Sequence, residues 1–181
     1  MAALVAVLAL IGALQYQLGP RADWVESRRR RVLSRLHELL SSFGGYAEAQ
    51  SPRVDYVCTV DIGEEELEKV LYQGGYHRNL LAAIHTRVLP DDAPAGAEKS
   101  EGSWVYRPSF LASRQHHGRL YPAVDGDGID LYAHNEYSNI VRPIKHYRSK
   151  NMDHGDPNHT LRDALDAAGI DYTVNDDLVV G

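Results

Sequence analysis

The first eighteen residues constrain this chain most. Ala2 to Leu14 carries no charge and a single glycine, and Gln15-Tyr16-Gln17-Leu18 continues it in a mixed register. Such a run has to leave water, either for lipid or for a packed interior. As a helix rising ~1.5 Å per residue it spans roughly 25 Å, a little under a ~30 Å hydrocarbon core. No basic residue precedes it and no clear small-x-small cleavage site follows it, unlike a secretory signal. The local positive charge all lies behind it, at Arg21 and Arg28 to Arg31. Arginine is retained on the cytoplasmic side, so residues 1–20 read as a single-pass anchor in the cell membrane, with the main domain facing the cytoplasm. Tyr16 and Trp24 suit the two-sided chemistry of the interface. Arg28, Arg29, Arg30 and Arg31 suit lipid phosphates, each contact being worth ~1 kcal/mol near an anionic surface. A cleaved signal and a buried helix are the alternative readings of the run.

Residues 21–45 read as a basic amphipathic helix. Val32, Leu36, Leu39, Leu40 and Phe43 form one apolar stripe, Asp23 is placed to cap the start and Gly44-Gly45 to end it. The stripe over 23–43 needs a partner: the soluble domain, a second copy, or a subunit of a membrane complex. Residues 46–53 read as a linker ending in Ser51-Pro52, and 54–181 as one domain of ordinary size. A net charge of −6 argues against a general nucleic-acid binder. The single cysteine, Cys58, excludes an intrachain disulfide and a cysteine-based zinc site.

Within the domain, Val54 to Asp61 alternates and predicts a half-buried strand with Val54, Tyr56, Cys58 and Val60 on one face. Asp61-Ile62-Gly63-Glu64 resembles a capping box before a helix whose Leu67, Val70 and Leu71 face the core, closed by Gly74-Gly75. Strands are expected between Leu80 and Leu89 and at Ser103 to Arg107. His116 to Tyr121 and Ile129 to His134 predict a hairpin turning at Asp125-Gly126-Asp127-Gly128, which lacks the ligand pattern of a calcium loop. Asp156-Pro157 opens a last helix, stopped by Gly169 and followed by a strand from Ile170. The order β-α-β-β-β-β-α-β implies an α+β fold, a mixed or antiparallel sheet with two helices on one face.

Six of nine histidines lie in the second half, at His116, His117, His134, His146, His154 and His159, among arginines, lysines and aspartates. So polar a segment, between a strand and a helix, is not expected in the core and reads as a long loop shaped by specific contacts. Three readings stand side by side. Arg114, Arg119, Lys145 and Arg148 suit an anionic ligand such as phosphate or carboxylate. His154 and Asp156 with His116 or His117 offer nitrogen and oxygen to a metal, although no helical His-x-x-x-His pair supports it and no metal is assigned. Alternatively, the residues cap and hydrate a structural loop. For acid/base catalysis the first candidates are His117, His154 and Asp156, titratable groups with neighbours able to hold them. His116 and His117, adjacent on a strand, point to opposite faces.

Arg114-Gln115-His116-His117-Gly118-Arg119-Leu120-Tyr121 resembles the Arg-x-His-His-x-Arg-x-aromatic strand of the LssY-like C-terminal domain family. His154-Gly155-Asp156-Pro157 followed by Arg162-Asp163 resembles that family's His-x-x-Asp-Pro and Arg-Asp segment, with spacing one residue shorter. The resemblance covers about residues 54–170 and implies a membrane-associated α+β accessory domain, with His117, Arg119 and Asp156 carried over. Together these readings anticipate a membrane-anchored accessory protein binding an anionic ligand or an envelope partner. A His/Asp-dependent, metal-assisted or metal-free hydrolase is the first alternative, and a structural subunit of a membrane complex or virion the second. No cofactor is identified.

Overall fold

Six strands in the order β3-β5-β6-β7-β2-β8, every neighbour antiparallel, form the main sheet of the computed structural model. The structure describes residues 48–79, 84–89, 97–124, 128–138, 140–142, 145–146, 155–175 and 178. The elements are β1 (Glu48–Ser51), β2 (Tyr56–Val60), α1 (Glu64–Gln73), β3 (Tyr76–Arg78), β4 (Ile84–Arg87), β5 (Gly102–Tyr106), β6 (Arg114–Pro122), β7 (Ile129–Tyr137), α2 (Gly155–Ala167) and β8 (Tyr172–Thr173). β1 and β4 pair in parallel as a separate two-stranded ribbon. The α+β class is therefore as expected. The anchor, the 23–43 helix and the membrane-interface residues Tyr16, Trp24 and Arg28 to Arg31 lie outside the described residues. Among the described residues no helix is long and apolar enough to cross a membrane.

Alternation along β6 and β7 gives the sheet two different faces. Leu120, Leu131 and Ala133 point one way and join Trp104, Tyr76, Cys58 and Val60. Leu67, Val70 and Leu71 of α1 and Leu161, Ala164 and Leu165 of α2 pack into the same cluster. Full burial of a side chain such as Leu131 stabilises by roughly 1.5–3 kcal/mol, so this layer is the main source of cohesion. It also buries one ion pair, Arg78 with Glu68, the guanidinium lying 4.8 Å from the centre of the Trp104 ring.

The opposite face carries Gln115, His117, Arg119 and Tyr121 on β6 and Asp130, Tyr132, His134 and Glu136 on β7. The ribbon covers it. Ser51 Oγ meets Tyr121 OH at 2.8 Å, and Arg87 donates to Asp130 at 2.6 Å. Arg87 also donates to the carbonyls of Ala97 and Pro122 and lies over the Tyr121 and Tyr132 rings. Charged groups survive there because each finds a partner inside the layer.

Several expectations are corrected. The strand expected between Leu80 and Leu89 is present as β4, but it pairs with β1 in the ribbon rather than in the main sheet, and a further strand, β3, follows α1 at Tyr76–Arg78. Glu48–Ser51, read as part of a linker, is ribbon strand β1. The predicted Val54-Tyr56-Cys58-Val60 stripe is broken by a register shift between Tyr56 and Cys58. Tyr56 consequently packs with Tyr121 and Tyr132, while Cys58 and Val60 face the helices, and Val54 is exposed. The residue before α1 is Gly63, with no side-chain cap bond; backbone bonds from Glu66 and Leu67 to Gly63 O close the first turn instead.

The hairpin is longer than expected, from Arg114 to Tyr137. Gly169 ends α2 at φ +71°, with Ile170 N–H donating to Leu165 O at 3.0 Å. That bond reaches back five residues, a helix stop that favours glycine.

Candidate functional site

The hairpin register creates the centre. β6 and β7 pair so that His117 lies opposite His134, Gln115 opposite Glu136 and Arg119 opposite Tyr132. Directly opposed residues on one face bring their side chains into contact. His117 and His134 stack edge to face with ring centres 5.3 Å apart. Both lie on the strands expected for them, but in the interior, at 3% and 1% exposure.

Glu136 stands between them. One carboxylate oxygen lies 3.2 Å from His117 Nδ1, and the other 3.4 Å from His134 Nε2. Gln115 Nε2 donates to the first at 2.7 Å, and Gln115 is itself held by Arg107. The outward nitrogens of the two imidazoles are engaged as well. His117 Nε2 is 2.6 Å from Ser103 Oγ, and His134 Nδ1 is 2.8 Å from Asp55 Oδ2. Asp55 reaches the cluster because the turn at Arg53–Asp55 precedes β2 and is pinned by Asp55 N–H to Pro52 O.

Arg119 fills the space between. Its Nη1 lies 3.1 Å from Ser51 Oγ, 3.4 Å from Asp55 and 3.4 Å from His134 Nδ1, and its Nη2 lies 3.2 Å from His117 Nδ1. A guanidinium only donates and a carboxylate only accepts. His117 Nδ1 therefore serves either Arg119 or Glu136 in a given tautomer, never both.

Burial, followed by the Arg119 charge, lowers the His117 pKa to about 3 against the pull of Glu136. Its imidazole is neutral at pH 7. Burial and Arg119 also oppose charge on His134, but its bonds to Asp55 and Glu136 outweigh them and raise its pKa. Burial opposes charge on Glu136, yet His117 and His134 hold its carboxyl well below the usual range. His85 on β4 stands edge-on to His117, ring centres 5.9 Å apart, kept neutral by burial and then Arg119.

Glu136 is the member nearest solvent, its side chain 15% exposed. Ser138 Oγ accepts the N–H groups of Ile140 and Val141, shaping a turn after β7. His146 returns from beyond that turn, with Nδ1 2.8 Å from Tyr137 O and 3.5 Å from Glu136.

Of the sequence candidates, His117 and Arg119 meet in the centre. Asp156 is exposed at the start of α2, the helix packed on the other face of the sheet, and no contact joins it to His117. His154 and Arg148 lie outside the described residues. Arg114 donates to Asn135 and lies over Tyr137; exposed Lys145 lies over the same ring at 5.3 Å. His116 points to the helix side, against Tyr106. His134, Glu136, Asp55, Ser103 and His85 were not singled out as site residues. The hairpin register carried a signal for His134 and Glu136; no spacing marks the other three.

Fold and site thus define an α+β domain with a buried histidine–carboxylate–arginine centre on the sheet face away from its helices. Comparison of the chain with known protein families, with curated proteins and with solved structures finds no match.

Proposed function

We propose that this domain is a hydrolase whose reaction takes place at the Glu136 side of the buried centre. The observation that carries the reading is one carboxylate flanked by two imidazoles, at 3.2 and 3.4 Å, at the least buried point of the cluster. Proton transfer needs titratable groups within hydrogen-bond reach of the reacting atoms and held by partners of their own. His134 is held by Asp55, His117 by Ser103 and Glu136 by Gln115. Water reaching Glu136 would find an acceptor in the carboxylate and imidazoles on either side to manage the proton.

The apolar run at 2–18 and the arginines at 28–31 support a membrane-tethered version of this enzyme, facing the cytoplasm. The resemblance to the LssY-like C-terminal domains agrees with that setting. The anion-binding reading has less support, because the Arg119 charge is already matched by Asp55 and Arg114 is engaged with Asn135. The test is turnover by the full chain in detergent against chromogenic carboxylate esters and phosphate mono- and diesters. Hydrolysis that falls roughly a hundredfold in both His117→Gln and Glu136→Gln is expected. No turnover of any substrate, or equal turnover in the variants, overturns the reading.

A further inference from the structure

We propose that the centre binds one divalent transition ion of the zinc class through His117 Nδ1, His134 Nε2 and the Glu136 carboxylate. The ion's role rests on the hydrolytic reading above; its binding rests on geometry alone. The three residues offer ligand atoms that all lie within 4.8 Å of one another. His117 Nδ1 lies 3.2 Å from one oxygen of the Glu136 carboxylate and His134 Nε2 3.4 Å from the other, so both oxygens face the ion. An ion with bonds of ~2.0–2.1 Å in tetrahedral array sets its ligands about 3.3 Å apart, so little rearrangement is needed along these two edges.

The second observation lies behind the ligands. A metal-binding histidine typically donates its other ring nitrogen to an oxygen that fixes ring orientation and tautomer. Both histidines have such a partner here: Asp55 at 2.8 Å behind His134, and Ser103 Oγ at 2.6 Å behind His117. The carboxylate is oriented in the same way by Gln115. Two imidazoles and one carboxylate leave coordination positions open for water and substrate, the arrangement of a catalytic rather than a structural ion. His85 Nδ1 is buried without a hydrogen-bond partner and its ring stands beside His117, where it can meet a molecule held on the ion.

Arg119 competes for one ligand atom, since its Nη2 lies 3.2 Å from His117 Nδ1. On loading it releases His117 and keeps Asp55 and Ser51. The bound ion would activate water and polarise the bond being cut.

The experiment uses the full chain in detergent, stripped with a chelator. It is titrated with Zn²⁺ by calorimetry and with Co²⁺ by visible absorption. One equivalent of each should bind, the Co²⁺ bands showing nitrogen ligation in a low-coordinate site. Glu136→Gln, close to the native shape, should weaken Zn²⁺ at least tenfold, and Ser103→Ala should weaken it ten- to a hundredfold. His159→Gln, exposed on α2, should change nothing. No saturable binding, an oxygen-only Co²⁺ spectrum, or affinity unchanged in both Glu136→Gln and Ser103→Ala overturns the proposal. The wild-type spectrum decides even where a variant fails to fold. Zn²⁺ held at the centre without turnover overturns only the hydrolytic reading. Turnover that persists in protein unable to bind metal overturns only this one.

Discussion

His134 and Asp55 are 79 positions apart in the chain, yet His134 Nδ1 lies 2.8 Å from Asp55 Oδ2. The contact ties the end of the hairpin to the turn before β2, and Arg119 closes it into a triad through Asp55 at 3.4 Å. Asp55 is fully buried. Asp55→Asn would leave Arg119 without its opposite charge inside the protein. Removing one partner of a buried pair costs about 3–5 kcal/mol. Urea denaturation should show a loss of that order. A loss below about 1 kcal/mol would mean that Asp55 does not compensate Arg119.

Arg87 and Asp130 make the analogous link at the other end of the layer, at 2.6 Å and almost without exposure. Arg87→Met should destabilise by several kcal/mol, because Asp130 keeps Thr59 but loses its cation. Adding Asp130→Asn removes the stranded charge and should recover part of the loss. The double variant should therefore be more stable than the sum of the single effects by roughly 1–3 kcal/mol. Additive single effects would show that the two charges do not act as a unit.

The acid limb of stability follows from His117. The unfolded chain protonates this residue near the ordinary histidine value of ~6.5, whereas the folded protein does so only at about 3. Between these values the unfolded state binds more protons, so acid favours unfolding. The contribution is complete above pH 6.5 and falls by ~1.4 kcal/mol per unit as pH drops toward 3. His85 acts with the same sign. His134 has a raised pKa and acts oppositely: its stabilisation is full below pH 6.5 and fades as pH rises through its folded value. Urea midpoints of chelator-treated protein at pH 7, 6 and 5 should fall more steeply in wild type than in His117→Gln. Parallel curves would show that His117 is not the buried neutral base described.

The centre shows how far the sequence could be read. The hairpin was legible from two apolar-flanked strands around a glycine-rich turn. The separation of His116 from His117 followed from strand alternation. The two glycine stops were legible because the left-handed conformation at Gly75 and Gly169 favours that residue. The interior position of the polar set was not. Gln115, His117, Arg119 and Tyr121 look like an exposed face, and only the β1–β4 ribbon turns them into a second core. Ribbon pairing between residues 48–51 and 84–87 leaves no periodic trace. The same ribbon explains why β4 could not be distinguished from a sheet strand. Pairing register across the hairpin would have placed His134 opposite His117. Asp55, Ser103 and His85 arrive through contacts distant in sequence, which composition and spacing do not encode.

Gly128 offers a test that connects the turn with the centre. Its φ of +130° is a conformation that side chains rarely adopt, and an added Cβ would lie 2.7 Å from Val60 O. That carbonyl belongs to β2 and cannot swing aside as a flexible side-chain end would. Gly169, at φ +71°, has nothing within 4 Å of the same atom. Gly169→Ala should therefore cost only the left-handed backbone term, about 1–2 kcal/mol. Gly128→Ala adds a backbone clash to its strain and should cost roughly 3 kcal/mol or more. It should also disturb the pairing that begins at Pro122 opposite Ile129 and runs on to His117 opposite His134. Thermal melts give the two costs. Hydrogen exchange of the β6 and β7 amides, faster in Gly128→Ala and unchanged in Gly169→Ala, would show the turn setting the register that assembles the centre. Equal melts and equal exchange would sink that connection.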